Sequence, residues 1–345
     1  MKDLIEIDGS FGEGGGAILR TALGLSAITQ KPIKIFNIRK GRKEPGLRTQ
    51  HLESIKAVAD LCNARLTGAN LGSTEIEFYP GKIESKNLDI KIGTAGSIGL
   101  VFQSLKLIAL KLETPIQITI TGGATFGKFA PPTLYTKHTL LPILSRVGYN
   151  ADIDIIKNGF FPVGGAKAII KMNPCKELKP LILDKPGEIE KIHGLSIASR
   201  HLEKANVAYR QAKKAEDILD QFDVDIKIEY VDADCPGSGI VLWAKDKNGN
   251  LIGSDGLGER GKPAEAIGEE AAKSLLKAIH STVDSHTSDQ LLTFMALAKG
   301  NSRIIAPKLT DHAKTNIWVI KKFLKTEFKS TEKENVSIEC RGQNI

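Results

Sequence analysis

The sequence predicts an α+β fold assembled from a repeated unit, its sheets covered on one side by paired helices. Two observations lead there. A helix–strand–helix–strand–strand order recurs three times along the 345 residues. The gap between the second and third copies is too long by roughly a hundred residues, which marks a candidate inserted domain.

The first copy follows an apolar run, Leu4-Ile5-Glu6-Ile7, that reads as a strand. Ile18, Leu19, Leu23, Leu25 and Ile28 then recur at helical spacing and give a helix over 17–28. A strand over 33–38, a helix over 48–63 and strands over 65–68 and 74–79 complete the unit. In the second copy Lys91-Ile92-Gly93-Thr94-Ala95-Gly96-Ser97 reads as a turn opening a helix over 97–111, then a strand over 115–120, a helix over 133–146 and strands over 151–156 and 167–171. The third copy has helices over 288–298 and 311–324 with strands over 302–306, 326–330 and 335–340. The extra segment spans 184–277 and is bounded upstream by Lys179-Pro180 and Lys185-Pro186-Gly187. It holds strands over 189–195, 225–230 and 239–244 and helices over 200–220 and 263–279. The expected division is a large domain of 1–183 and 278–345, and a smaller α/β domain of 184–277. Helix 200–220 carries Arg200, His201, Glu203, Lys204, Arg210, Lys213, Lys214 and Glu216, a mixed-charge face of the kind water usually covers.

With 41% apolar and 26% charged residues, the chain can bury a large core. No stretch is apolar enough over a sufficient length to span a bilayer, and Met1-Lys2-Asp3 does not lead into a signal-peptide apolar region, so a cytoplasmic protein with no membrane partner is expected. Cys62, Cys175, Cys235 and Cys340 stand singly, which signals neither a zinc site nor a disulfide framework and leaves reduced, buried thiols as the expectation. A net charge of +8 favours a polyanionic partner.

The chemistry concentrates in a few clusters. Asp8-Gly9-Ser10-Phe11-Gly12-Glu13-Gly14-Gly15-Gly16 lies between the first strand and the first helix and runs into Arg20. A glycine turn there exposes backbone N–H groups at the positive end of a helix, where phosphates can approach closely. The letters of a dinucleotide fingerprint are present, but Ile38-Arg39-Lys40-Gly41-Arg42 stands where an acid should hold the ribose. Gly256-Leu257-Gly258-Glu259-Arg260-Gly261-Lys262-Pro263 fails as a P-loop because Pro263 has no hydroxyl, and a surface turn explains it better. From Arg39 through Arg42 to Gln50 and His51, cations, an amide and an imidazole gather before a helix, where arginine can fork two phosphate oxygens. Gln103 suits a base edge or a sugar hydroxyl, and equally a buried amide. In His286-Thr287-Ser288-Asp289-Gln290, Thr287 or Ser288 suits a helix cap and leaves Asp289 and Gln290 for a ligand. His312 falls at a helix start, where the dipole should lower its pKa and keep it neutral and nucleophilic.

In this order and spacing the clusters resemble the RNA 3′-terminal phosphate cyclase family over essentially the whole chain. The resemblance is carried by Asp8-Gly9, Gly12-Glu13-Gly14-Gly15-Gly16, Ile18-Leu19-Arg20, Ile38-Arg39, Gly41-Arg42, Pro45-Gly46-Leu47, Gln50-His51-Leu52, Gly93, Ala95-Gly96-Ser97, Asp289-Gln290, and His312 with Thr315-Asn316. It implies three β-α-β-α-β-β units forming a large domain, with a smaller α/β domain inserted before the third. It also implies an ATP-dependent reaction in which a histidine takes AMP, passes it to an RNA 3′-phosphate, and the neighbouring 2′-hydroxyl expels it to close a 2′,3′-cyclic phosphate. By the matching positions His312 is the nucleophile. Gln103, His286, Thr287, Ser288, Asp289 and Gln290 frame ATP, with His286 where some relatives carry a tyrosine. Arg20, Arg39, Arg42, Gln50 and His51 hold phosphate or the RNA end, and Glu13 holds a divalent metal, magnesium or manganese. The partners implied are ATP and RNA with a 3′-phosphate, in a chain that is a candidate homodimer. Two alternatives share part of the pattern: cyclase-like proteins of ribosome assembly that lack the nucleophile, and enolpyruvyl transferases that share the repeated unit. His312 favours the cyclase reading over both.

Overall fold

The structure, a computed structural model, describes residues 4–343. Met1-Lys2-Asp3, on which the reading of the start rests, lies outside them. The described residues form a mixed α+β protein with four four-stranded sheets. The first sheet is built from β1 (Ile5–Asp8), β2 (Ile33–Phe36), β3 (Arg65–Thr67) and β4 (Ile76–Tyr79), with α1 (Gly16–Thr29) and α2 (Thr49–Leu61) between strands. The second comprises β5 (Leu88–Ser97), β6 (Ile116–Ala124), β7 (Ala151–Lys157) and β8 (Lys167–Met172), with α3 (Ile98–Leu105), α4 (Thr133–Tyr135) and α5 (Leu141–Ser145). The third opens with β9 (Ile182–Leu183). The fourth follows directly in sequence: β10 (Ile189–Ser199), α6 (Val207–Ile218), β11 (Val224–Val231), β12 (Ser238–Asp246), β13 (Leu251–Leu257) and α7 (Ala264–Leu276). The third sheet is then completed by α8 (Ser285–Leu297), β14 (Gly300–Ala306), α9 (Asp311–Phe323), β15 (Glu327–Glu332) and β16 (Val336–Gly342).

Three of the sheets share one plan. Their strands run first-second-fourth-third, as β1-β2-β4-β3, β5-β6-β8-β7 and β9-β14-β16-β15, with the first pair parallel and the others antiparallel. The remaining sheet, β11-β10-β12-β13, follows a different order. One continuous core joins the three alike sheets through Leu23 of α1, Val101 of α3, Leu292 of α8 and Val319 of α9. The fourth sheet closes its own core around Ile192, Leu242, Ile252 and Ile267. A smaller seam of Phe126, Tyr135 and Phe160 against Ile197, Cys235 and Val241 links the two. Seven consecutive residues of α8, Leu291 to Leu297, are buried, as expected for a helix that is apolar on more than one face. All four cysteines are buried and unpaired. No helix among the described residues is long and apolar enough to cross a membrane.

Most predicted elements appear within a few residues, and the departures have physical causes. Gly93 to Ser97 is not a turn but the end of β5, whose register slips against β6 between Ile92 and Ser97. Only Ser97 then acts as a cap, accepting from the Leu100 N–H. Helix 200–220 breaks at Asn206, left-handed with φ 51°, which separates a 3-10 turn from α6. α8 starts three residues earlier than its apolar periodicity suggests, because Asp284 rather than Thr287 or Ser288 is the cap. Strand β13 escapes a reading based on alternation because glycines interrupt it; a Cβ on Gly253 would come within 2.6 Å of the Tyr135 ring. Asp284 ties these pieces together, accepting from the Gly253 N–H at 2.9 Å, the Thr287 N–H at 3.0 Å and the Tyr135 hydroxyl.

Candidate active site

A cleft of about 1280 Å³ opens between the glycine loop after β1, the loop leading into α2, the start of α3, strand β13 and the first turns of α8 and α9. It is lined by Glu13, Arg20, Arg39, Arg42, Gln50, His51, Gln103, His286, Asp289, Gln290 and His312. Of the residues singled out from sequence, Thr287 and Ser288 alone stay away. The helical period explains why: positions 286, 289, 290 and 293 share the face of α8 that meets the cleft, whereas 287 and 288 turn inward. Thr287 shares a 2.8 Å hydrogen bond with the Tyr135 hydroxyl, and Ser288 donates to the Ser285 carbonyl.

His312 sits in the first turn of α9, whose cap, Thr310, accepts from the Ala313 N–H at 2.8 Å and donates to Asp289 at 2.5 Å. Its Nδ1 lies 2.9 Å from Glu13 Oε2, while Glu13 Oε1 accepts from Arg42 at 2.5 Å. Several contacts bring these distant segments together. The Glu13 N–H donates to Thr315 Oγ1, Thr21 donates to Asn316, and Phe11 of the glycine loop stacks on Trp318 of α9 with ring centroids 4.1 Å apart. The carboxylate reverses the expected direction of the His312 shift. The hydrogen bond to Glu13 raises the imidazole above its ordinary 6.5, outweighing burial and the nearby Arg20. Burial alone would raise Glu13, but the contacts from His312 and Arg42 hold it below its ordinary value. With Nδ1–H committed to Glu13, the neutral ring carries its lone pair on Nε2.

The floor of the cleft presents hydrogen-bond donors. Arg20 Nε donates to Gln103 Oε1 at 2.8 Å, Lys106 Nζ to Gln290 Oε1 at 3.1 Å, and the Ser97 N–H to Gln50 Oε1 at 3.3 Å. Guanidinium, ammonium and peptide N–H groups have only hydrogens to offer, so each amide must turn its oxygen toward them. Three NH₂ groups are thereby left for a ligand rich in acceptors. His51 adds a fourth donor: its Nδ1 accepts from the Arg48 N–H at 3.0 Å, so the proton sits on Nε2. Burial, then Arg20, Arg39 and Arg48, pushes this imidazole down to about 3, so it stays neutral. A Cβ on Gly16 would meet His51 Nε2 at 2.6 Å and Arg20 Nη1 at 2.7 Å, so only glycine allows this pair to close on the start of α1. That start, after Gly15, has no side-chain cap.

Lys106 and Asp255 are two titratable members among the cleft residues that sequence does not pick out. Lys106 is buried, with its ammonium 5.2 Å from the centre of the Phe294 ring, and burial together with Arg20 pulls it down to about 7. A lysine three residues after Gln103 in an apolar helix was the available signal. Asp255 comes from the unpredicted strand β13, and burial pushes its carboxyl up to about 6, against the pull of His286. Asp289 is likewise raised to about 6 by burial. No cage for a metal stands ready: among the described residues no group of three or more His, Cys, Asp or Glu side chains converges. Magnesium, however, usually takes one or two carboxylates and completes its shell with water and substrate phosphates, a habit that Glu13 fits.

Comparison with known proteins settles the family. A sequence profile of the RNA 3′-terminal phosphate cyclase family matches residues 11–330. The chain belongs to that family. Similar proteins called RNA 3′-terminal phosphate cyclase come from Methanopyrus kandleri, 43% identical over 99% of both chains, and Pyrobaculum aerophilum, 44% identical over 98% of both. A third, from Caldivirga maquilingensis, is 45% identical over 93% of both. The span matched by the cyclase family contains every segment that lines the cleft, from the glycine loop to the first turn of α9.

Proposed function

We propose that this protein uses ATP to convert the 3′-terminal phosphate of an RNA into a 2′,3′-cyclic phosphate, with His312 as the group that carries AMP. The contact of His312 Nδ1 with Glu13, beside a floor of donors, is the observation that carries the reading. It leaves Nε2 free to attack the α-phosphorus of ATP as the bond to pyrophosphate breaks. Glu13 keeps the Nδ1 proton and offsets the positive charge that develops on the ring. An oxygen of the RNA 3′-phosphate then attacks the same phosphorus, and the N–P bond breaks. A phosphate monoester has no good leaving group, whereas the mixed anhydride has AMP. The 2′-hydroxyl, already adjacent, displaces AMP and closes the ring.

Arg20, His51 Nε2–H, the bare start of α1 and the three amides are proposed to hold the phosphates, with Arg39 and Arg42 at the mouth. His286, Asp289 and Gln290 are proposed to face the nucleoside. A magnesium or manganese ion entering with the triphosphate would take Glu13 as its carboxylate and neutralise phosphate charge. The proposed architecture is three related units with an insertion at 184–277. The pairing of β9 with β14 supports putting that insertion after the first strand of the third unit, where the sequence reading puts it before the unit. Every residue used comes from one copy of the chain, so the reaction is proposed for a monomer or a homodimer alike, in the cytoplasm.

The test is retention of radioactivity from α-phosphate-labelled ATP on denatured protein. Wild type is expected to hold an acid-labile, base-stable label, and His312→Ala to hold none while folding normally. A labelled His312→Ala protein would overturn the assignment.

A further inference from the structure

The rim of the cleft differs from its floor. Phe129 is fully exposed, with its backbone in the left-handed region at φ 61°. Phe161 is 47% exposed, and Lys128 Nζ lies 4.6 Å from the centre of its ring. Leu71 is 66% exposed, and all four residues line the cleft. Two solvent-facing aromatic rings, one on a strained backbone, are costly features that the core does not use. Exposed cations accompany them, since Lys43, Arg48 and Lys128 border the same opening. The cleft is also larger than the roughly 300–1,000 Å³ that a small ligand usually occupies.

Resting on the function proposed above, we infer that Phe129 and Phe161 form a stacking platform for the nucleotides just upstream of the RNA 3′ end. Lys43, Arg48 and Lys128 hold that strand's phosphates. Proteins that grip single strands combine aromatic rings, on which any base can stack, with a cationic track along the backbone. The donor-lined floor needs only the terminal phosphate and the nucleotide. The rim supplies what a longer strand adds, and it does so without reading sequence.

The experiment compares wild type, Phe129→Ala, Phe161→Ala and Phe129→Trp in three assays. These are self-labelling with ATP, cyclisation of a 3′-phosphorylated decanucleotide, and competition by a nucleoside 3′-phosphate. Each alanine variant is expected to raise the Michaelis constant for the decanucleotide about fivefold or more. Self-labelling and the inhibition constant of the nucleoside 3′-phosphate should stay at wild-type values, and Phe129→Trp should keep tight binding. Unchanged decanucleotide binding would overturn the inference. So would an equal loss with the nucleoside 3′-phosphate, or a matching loss of self-labelling, which would make Phe129 a cover for ATP. If wild type itself neither labels nor cyclises, the function reading fails instead.

Discussion

Two helices begin at the cleft in opposite ways. α1 starts at Gly15-Gly16 with no side chain on its first N–H groups, whereas α9 starts at Thr310, whose hydroxyl accepts from Ala313. The bare start can offer its backbone to a ligand, because nothing in the protein has claimed it. The capped start cannot, and it offers a side chain instead: the cap fixes the first turn, and the first turn fixes His312. A reacting atom needs a rigid support, while a phosphate needs unsatisfied donors. One cleft combines both by using two helix ends with opposite capping.

The sharpest way to break the α9 arm is Glu13→Gln. A neutral amide no longer offsets imidazolium charge, so self-labelling is expected to slow by about a hundredfold. The pH profile should move as well. In wild type the imidazole is raised above 6.5, so its free base is lost as pH falls through a value above 6.5. In the variant that loss should shift to lower pH. Histidine NMR titration of metal-free protein checks the shift, and an unchanged His312 titration would contradict the pairing.

Filling the α1 arm should have a smaller effect. In Gly16→Ala the new methyl group would crowd His51 and Arg20, an overpacking cost of about 1–3 kcal/mol. The ATP concentration for half-maximal labelling is expected to rise about tenfold. A normal ATP dependence would mean that this helix start does not meet the triphosphate. Thr310→Ala should have the smallest effect, removing the cap at a cost of about 1 kcal/mol of stability. Thermal unfolding measures the loss, and an unshifted midpoint would show that Thr310 does not hold the turn.

Sequence resolves these two arms unequally. The glycine loop, the cluster from Arg39 to His51, and His312 are each short runs, so their residue types and spacing reveal them. The Glu13–His312 contact joins nearly opposite ends of the chain, and with it comes the reversal of the predicted His312 shift. Tertiary docking creates it, through Phe11 on Trp318, Glu13 on Thr315 and Thr21 on Asn316. Thr287 and Ser288 lie away from the cleft for a related reason, since neighbours along a helix face different ways and adjacency to Asp289 does not imply a shared surface. Asp255 was hidden because β13 is punctuated by glycines, and with it the fact that segment 184–277 lends a wall to the cleft. The paired cations of Arg200–Asp232, Arg210–Glu265 and Lys213–Asp217 agree with a solvated face over 200–220.

The same cleft holds a rival nucleophile. Burial and Arg20 pull Lys106 down to about 7, well below an ordinary lysine, and phosphoramidates form on lysine as well as on histidine. Locating AMP on the labelled protein therefore tests the central claim most directly. Proteolysis under alkaline conditions, followed by mass spectrometry and phosphorus–nitrogen NMR of the labelled peptide, should place AMP on Nε2 of His312. AMP on Lys106, or on Nδ1 of His312, would contradict the account.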